Sequence, residues 1–114
     1  MTDCLFCKMV AGEIQPDVVY ENEQVLAFRD LNPQAPTHVL VIPKKHIATL
    51  NDLQGEDTAL AGALFHAAKE VARIDNIAER GYRTVVNCNA EAGQTVFHLH
   101  LHVLGGRPMG WPPG

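Results

Sequence analysis

The sequence lacks a basic stripe, a long apolar run and an even set of cysteines, and each absence excludes a class of protein. Nine Lys and Arg residues are spread along a chain of 114 residues with a net charge of −4, so the electrostatic footprint of a nucleic-acid-binding protein is missing. The longest apolar run, residues 59–65, is far below the roughly 20 residues that cross a bilayer. Three cysteines and no secretion signal indicate reduced thiols. We therefore expect a cytoplasmic protein that binds neither nucleic acid nor membranes.

The composition that is present, 46% hydrophobic and 19% charged residues, is typical of one globular domain over residues 1–114. Apolar periodicity predicts a short helix at residues 4–10 and a long one at 55–75. Alternation and β-branched residues predict strands at residues 18–20, 25–28, 38–42, 82–88 and 96–104. Two X-Pro steps make residues 31–37 a shaped loop. The pattern favours an α+β domain, with the long helix on one face of a mostly antiparallel sheet.

The most strongly patterned segment is residues 96–104, VFHLHLHVL, in which apolar residues alternate with three histidines. On a strand His98, His100 and His102 would share one face, about 6–7 Å apart. The other face would carry an apolar set directed at the long helix: Phe97, Leu99, Leu101 and Val103.

Three interpretations of the histidine row compete. The row could be a solvated outer face, or a metal site, although no Asp or Glu lies within several residues to complete or orient the ligands. In the third interpretation an imidazole acts as nucleophile. Crowded imidazoles disfavour full protonation, so one stays neutral to attack while a neighbour donates a proton or hydrogen bond to the leaving group. His100, flanked on both sides, is the best candidate for the nucleophile.

Several motifs together resemble the histidine triad family. They are the His-x-His-x-His row with two apolar residues after it, LNPQAPTHVLVIPKKH at 31–46, Asn87, AGQT at 92–95 and LGGRPMGWPPG at 104–114. The Gly-Gly-Arg tail and its Trp-Pro-Pro-Gly end are similar to the nucleotide-binding, purine nucleoside phosphoramidase branch. The resemblance extends from residue 5 to residue 114.

The resemblance implies a HIT-like fold: a five-stranded, mostly antiparallel sheet with one long and one short N-terminal helix, extended across a homodimer. It implies binding of purine nucleoside monophosphates and cleavage of P–N bonds in their phosphoramidates, without a catalytic cofactor. His100 would attack the α-phosphorus to form a nucleotidyl-histidine that water hydrolyses. His102 would contact the phosphate, His98 would support the site, and Thr95 would supply a hydroxyl.

The substrate-binding residues are also implied by the resemblance. Asp30 falls at the position that binds the ribose hydroxyls, although a loop-capping role would look the same in the sequence. The base-lining positions are Leu5, Phe6, Met9, Ile14, Phe28 and Leu31. The phosphate loop comprises Asn87, Gly93, Gln94 and Thr95, where Asn87 could instead simply close its own loop. Trp111, in a tail spanning residues 105–114, would cross to the partner subunit's site.

A second constellation begins with the Cys4-x-x-Cys7 pair on the first helix. By itself the pair is also compatible with two small buried residues. Some members of the family bind a structural zinc through such a pair, and the resemblance supplies His46 and His98 as the remaining ligands of a Cys₂His₂ set. His38 is a candidate partner of the triad, or else a half-buried residue at the start of a strand.

Two alternatives to the phosphoramidase remain open at this level: a hydrolase of dinucleoside polyphosphates, and a nucleotide- or zinc-binding interaction module with vestigial hydrolysis. Thr95 replaces the Ser of many relatives and Ala92 replaces a Gly. The first change keeps the hydroxyl and the second stiffens the loop, so neither removes a catalytic group.

Overall fold

A computed structural model describes residues 3–114 of the chain. The helices are α1, Leu5–Val10, and α2, Thr58–Ile74; the strands are β1, Val18–Glu21, β2, Val25–Arg29, β3, Thr37–Pro43, β4, Tyr82–Val85, and β5, Leu101–Gly105. Short 3₁₀ turns occur at Leu50–Asp52, Gly55–Asp57 and Ala90–Ala92. Within this part of the chain, the helices are too short or too polar to traverse a lipid bilayer.

The strands form one five-stranded sheet in the order β1-β2-β3-β5-β4, and every neighbouring pair is antiparallel. The predicted hairpin of β1 and β2 is confirmed, with Glu21 opposite Leu26. The α+β class and the HIT-like arrangement of one sheet with a long and a short helix are confirmed as well. The first turn predicted for the long helix is instead the 3₁₀ turn at Gly55–Asp57.

The central strands β2 and β3 are buried on both faces. One face packs against α2 in the predicted way, through Leu64, Ala67, Ala68 and Val71 against residues that include Val39, Leu101 and Val103. The opposite face carries a second, smaller cluster of Leu26, Phe28, Leu40 and Ile42, which Phe6 of α1 covers. Burying one such apolar side chain contributes about 1.5–3 kcal/mol. The second cluster therefore fixes α1 over the same face of the sheet as the histidine row.

The strand predicted at residues 96–104 is shorter than expected, because β5 begins only at Leu101. On one side β3 ends at Pro43, which has no N–H to extend a ladder, and its last pair with β5 is Val41–Leu101. On the other side the last pair is Val85–His102, and β4 ends there rather than at residue 88. Residues 96–100 therefore bend away, and Leu99 N–H donates to the Ile47 carbonyl at 2.6 Å.

The bend also corrects one predicted core residue. Leu99, Leu101 and Val103 are buried against α2, but Phe97 lies near the start of the bent segment and its side chain is 49% exposed. The period-two pattern thus holds from Leu99 onward and fails at Phe97.

Candidate active site

The three histidines of the row lie on the face covered by α1, and the structure directs each to a different environment. His98 is fully buried and His100 is 8% exposed, so the interpretation as a solvated outer face is wrong. A single metal shared by all three is also wrong, since His98 joins a Cys/His cluster while His100 and His102 line a cavity. What remains is an arrangement in which adjacent imidazoles perform separate tasks.

The position of the proton on His100 follows from one backbone contact. Its Nδ1 lies 2.8 Å from the His98 carbonyl oxygen. Because a carbonyl only accepts, Nδ1 carries the hydrogen and Nε2 of the neutral ring keeps its lone pair. The ring is packed edge-on against Phe6, with centroids 5.3 Å apart, and faces the cavity. In its neutral form His100 thus directs an Nε2 lone pair outward from a ring of fixed orientation.

His102 is oriented by a chain of contacts from outside the row. The Gln34 backbone N–H donates to His38 Nδ1 at 3.0 Å, so a neutral His38 carries its hydrogen on Nε2. That Nε2 lies 2.9 Å from His102 Nδ1, which must therefore accept. The remaining hydrogen of His102 is on Nε2, a buried atom without a protein partner in residues 3–114. His102 is thus a hydrogen-bond donor available to a ligand in the cavity.

His102 and His38 are both neutral at pH 7. Burial, reinforced by the neighbouring His100 and His38, lowers the pKa of His102 to about 4. Burial also lowers the pKa of His38, and the nearby Asp30 carboxylate opposes this only in part. The contact confirms His38 as a partner of the triad, and it supplies the acidic residue that the local sequence lacks, with Asp30 Oδ2 at 3.4 Å from His38 Nε2.

A cavity of about 480 Å³ opens in front of His100 and His102. It is lined by all six residues predicted for a base pocket, Leu5, Phe6, Met9, Ile14, Phe28 and Leu31, together with Asp30 and Thr95. Sequence reasoning missed further lining residues: Gln15, Pro16, Asp17, Arg29, Leu40 and Val96. The lining is mostly apolar, and it also carries the charged groups of Asp17, Arg29 and Asp30, a hydroxyl and two imidazoles, which suits an amphipathic ligand.

Asp30 makes the loop-capping contact that the sequence left open, and it also faces His38. Its Oδ1 accepts the Asn32 backbone N–H at 2.8 Å, a loop-capping contact, while Oδ2 faces His38. A carboxylate has about four acceptor sites, so lone pairs remain for hydroxyl groups of a ligand.

The loop at residues 87–95 contributes to the cavity only through its last residue. Thr95 is exposed and lines the cavity, whereas Asn87, Gly93 and Gln94 do not. The Gln94 side-chain amide donates to the carbonyls of Ala48 and Val96 and accepts from Asn89 N–H. Both of its N–H groups are thereby used, and the Gln94 side chain holds the loop in place.

The Cys/His constellation is assembled as predicted. Cys4, Cys7, His46 and His98 bring one ligand atom each to within 4.8 Å of the others. His98 Nδ1 lies 3.3 Å from Cys4 Sγ and 3.2 Å from His46 Nδ1, and Cys7 Sγ lies 3.2 Å from His46 Nδ1. Zinc bond lengths of about 2.0–2.3 Å in a tetrahedron give ligand separations of about 3.3–3.8 Å. The cluster therefore has nearly the size that a tetrahedral metal requires.

The surroundings of the cluster also fit a metal. His98 Nε2–H donates to the Pro43 carbonyl at 2.8 Å, which leaves Nδ1 as a lone-pair donor toward the cysteines. Burial and the neighbouring Cys4 raise the pKa of the Cys7 thiol. A cation between the two sulfur atoms would offset this effect and favour the thiolate form that binds metal.

The tail does not enter the cavity of its own chain. Trp111 is 82% exposed, and the Arg83 guanidinium lies over its ring at 5.8 Å. Arg83 also donates to the Gly110 carbonyl at 2.8 Å, which holds the tail beside β4.

Comparison with known proteins identifies the family of the chain. The sequence profile of the HIT domain matches residues 11–109. An uncharacterized HIT-like protein of Synechocystis is 54% identical over 112 residues, which are 98% of this chain and 97% of that protein. The purine nucleoside phosphoramidase of Escherichia coli is 45% identical over 108 residues, 95% of this chain and 91% of the enzyme. The crystal structure of a HIT family hydrolase from Legionella pneumophila superposes with a TM-score of 0.96 at 54% identity, covering 98% of this chain and all of that one.

Proposed function

The chain belongs to the histidine triad family of hydrolases, and from this premise we propose that it cleaves the P–N bond of purine nucleoside 5′-phosphoramidates through a nucleotidyl-histidine. The observation that carries the proposal is the pairing of His100 and His102 at one cavity, where the backbone contact of His100 leaves Nε2 for a lone pair and the contacts of His102 leave Nε2 for an N–H. The similarity to a purine nucleoside phosphoramidase supports the substrate class.

The substrate has a natural orientation in the cavity. The purine lies between apolar residues such as Phe6, Met9 and Phe28, and the ribose hydroxyls bind the free lone pairs of Asp30. The phosphate then lies beside Thr95, His100 and His102. The apolar lining explains recognition by shape and stacking rather than by base-specific hydrogen bonds.

In the first step His100 Nε2 attacks the α-phosphorus, the P–N bond breaks, and the departing nitrogen takes its electron pair and a proton from solvent. In the second step water attacks the nucleotidyl-histidine, which releases the nucleoside monophosphate and a proton and restores His100. Negative charge that develops on the phosphoryl oxygens is stabilised by His102 Nε2–H and the Thr95 hydroxyl. No step requires a cofactor.

The decisive experiment measures AMP release from adenosine 5′-phosphoramidate by the wild type, His100→Ala and His66→Ala. His66 is an exposed histidine on α2 and serves as the matched control. We expect wild-type turnover for His66→Ala and a loss of about a thousandfold or more for His100→Ala. Equally slow hydrolysis by all three, with AMP still bound, would favour the interaction module. Faster cleavage of diadenosine polyphosphate by the wild type would favour the alternative hydrolase.

We propose further that Cys4, Cys7, His46 and His98 hold a structural zinc. When bound, the ion would join α1 to the segment before β5 and would supply folding energy rather than chemistry. Native protein should contain close to one zinc per chain by elemental analysis, and a chelator should lower its Tm. Cys7→Ser should abolish both effects and Cys88→Ser, outside the cluster, neither. If the native protein contains no metal and its Tm does not change when a chelator is added, this assignment is refuted.

The proposed active unit is a homodimer in the cytoplasm, a reducing compartment that suits the unpaired Cys4, Cys7 and Cys88. Strand β4 is an edge strand with exposed Tyr82 and Thr84, and the tail over residues 105–114 leaves Trp111 exposed for contact with the partner's site. Light scattering on purified protein should give twice the chain mass of 12.5 kDa. Trp111→Ala should change the preference for leaving groups while His100 stays active. A monomer with full activity would contradict this part.

A further inference from the structure

The Gly105-Gly106-Arg107 segment, which the proposed reaction does not use, contacts the loop at residues 31–37 at close range. A Cβ at Gly106 would lie 2.8 Å from Pro36 Cβ, and Gly106 adopts a φ of +90°. A Cβ at Gly105 would lie 2.5 Å from the end of the Ile77 side chain. Gly105 thus lets the end of β5 pack against Ile77, and Gly106 lets the chain leave β5 in direct contact with this loop, where Arg107 reaches Gln34.

Arg107 forms hydrogen bonds to one backbone carbonyl of that loop. Its Nε and Nη2 donate to the Gln34 carbonyl oxygen at 3.2 and 3.0 Å, and its Nη1 donates to the Pro108 carbonyl at 3.1 Å. Gln34 itself is exposed and stands between two X-Pro steps, with no strand or helix to hold it. The planar guanidinium, with its donors in a fixed fork, is suited to fixing such a peptide group.

Gln34, the residue that Arg107 contacts, also sets the tautomers of His38 and His102. The Gln34 N–H donates to His38 Nδ1, His38 Nε2–H donates to His102 Nδ1, and His102 Nε2–H is left for the cavity. If Gln34 turned away, His38 could carry its hydrogen on Nδ1 and accept from His102. His102 Nε2 would then present a lone pair to an anionic phosphate. Asp30 Oδ2, 3.4 Å from His38 Nε2, favours the productive tautomer but at a longer distance.

We propose that Arg107 is a positioning residue that, through Gln34 and His38, holds His102 as an Nε2–H donor toward the substrate phosphate. The Gly-Gly-Arg segment thereby becomes part of the active site's support, although Arg107 itself does not line the cavity. The consequence for turnover rests on the proposed phosphoramidase function; the consequence for the tautomer does not.

The test compares Arg107→Ala with Arg80→Ala, which removes the same charge from a neighbouring exposed arginine. Nitrogen-15 NMR of histidine-labelled protein without substrate reports which ring nitrogen of His102 is protonated. We expect Nε2–H in the wild type and Arg80→Ala, and a mixture of tautomers in Arg107→Ala. In adenosine 5′-phosphoramidate hydrolysis, kcat of Arg107→Ala should fall roughly ten- to a hundredfold, as for other groups that orient a ligand-binding histidine. KM should change much less, because the base and ribose contacts are untouched.

Arg107→Lys keeps one donor for the Gln34 carbonyl and should give intermediate values, and it serves as the test variant if Arg107→Ala does not fold. An unchanged His102 spectrum in the substituted protein would overturn the proposal, even if kcat fell. If the wild type failed to hydrolyse the phosphoramidate, the proposed function would fail, and the spectrum alone would still decide whether Arg107 sets the tautomer.

Discussion

Replacing Gly106 with alanine tests the close contact between the tail and the loop at residues 31–37. Two costs add. A φ of +90° is unfavourable for a residue with a Cβ by about 1–2 kcal/mol. The new methyl group would lie 2.8 Å from Pro36 Cβ, well inside the 3.4 Å at which ordinary contact begins, and overpacking of this kind costs about 1–3 kcal/mol. Because Pro36 is exposed and its loop can shift outward, we expect a total loss of about 2–4 kcal/mol.

For a chain of this size that loss lowers Tm by roughly 10–15 °C. The assay is thermal unfolding followed by circular dichroism, with Gly110→Ala as the control. Gly110 lies in the same tail, but a Cβ there would meet nothing within 4 Å. We therefore expect Gly110→Ala to change the free energy of unfolding by no more than about 0.5 kcal/mol, with a correspondingly small change in Tm. Equal Tm values for the two variants would show that the tail does not pack on the loop as described.

Three further predictions concern charge and protonation. The pKa of His102 is lowered to about 4 in the folded state, so between about pH 6.5 and 4 the unfolded chain binds a proton that the folded chain does not. The free energy of unfolding should therefore fall by about 1–2 kcal/mol on acidification through that window, after allowance for solvent screening. Urea titrations of wild type and His102→Gln at both pH values check this, and an equal pH dependence of the free energy of unfolding in the two proteins would contradict it. Asp75→Asn loses the paired Arg29 contacts at 2.9 Å and should destabilise the protein by about 1–3 kcal/mol; urea unfolding measures it, against Glu79→Gln on the exposed surface. Asp30→Asn should weaken AMP binding about tenfold while deoxy-AMP is affected less; calorimetry that finds equal losses would refute ribose contact.

Local pattern was enough to predict much of the fold. The hairpin of β1 and β2, the apolar stripe of α2 and the alternation from Leu99 to Val103 all follow from the spacing of apolar residues. The prediction failed for residues 96–100, where the length of the strand depends on Pro43 and on the end of β4. A strand ends where its neighbouring strands end, and the sequence of one segment does not show where those neighbours end.

The site divides in the same way. The grouping of the cavity-lining residues and of the Cys/His cluster could be predicted because a family resemblance assigns these positions to common sites, and the structure brings them together. The Gln94 amide could not be predicted, since its partners Ala48 and Val96 are known only from the fold.

The sequence by itself determined which chemical groups are available: three histidines on alternate positions, two cysteines one helical turn apart, and apolar residues at the spacings of strands and a helix. Only the tertiary structure decided what each histidine does. His98 joins residues of α1 and the segment after β3, His100 bonds the backbone beside it, and His102 receives its tautomer from Gln34 by way of His38. The assignments of His98 and His102 depend on contacts between segments that are distant in the chain, and that of His100 depends on the local bend of the backbone before β5. Periodicity reports which face a side chain occupies, but it does not report the partner that meets it there.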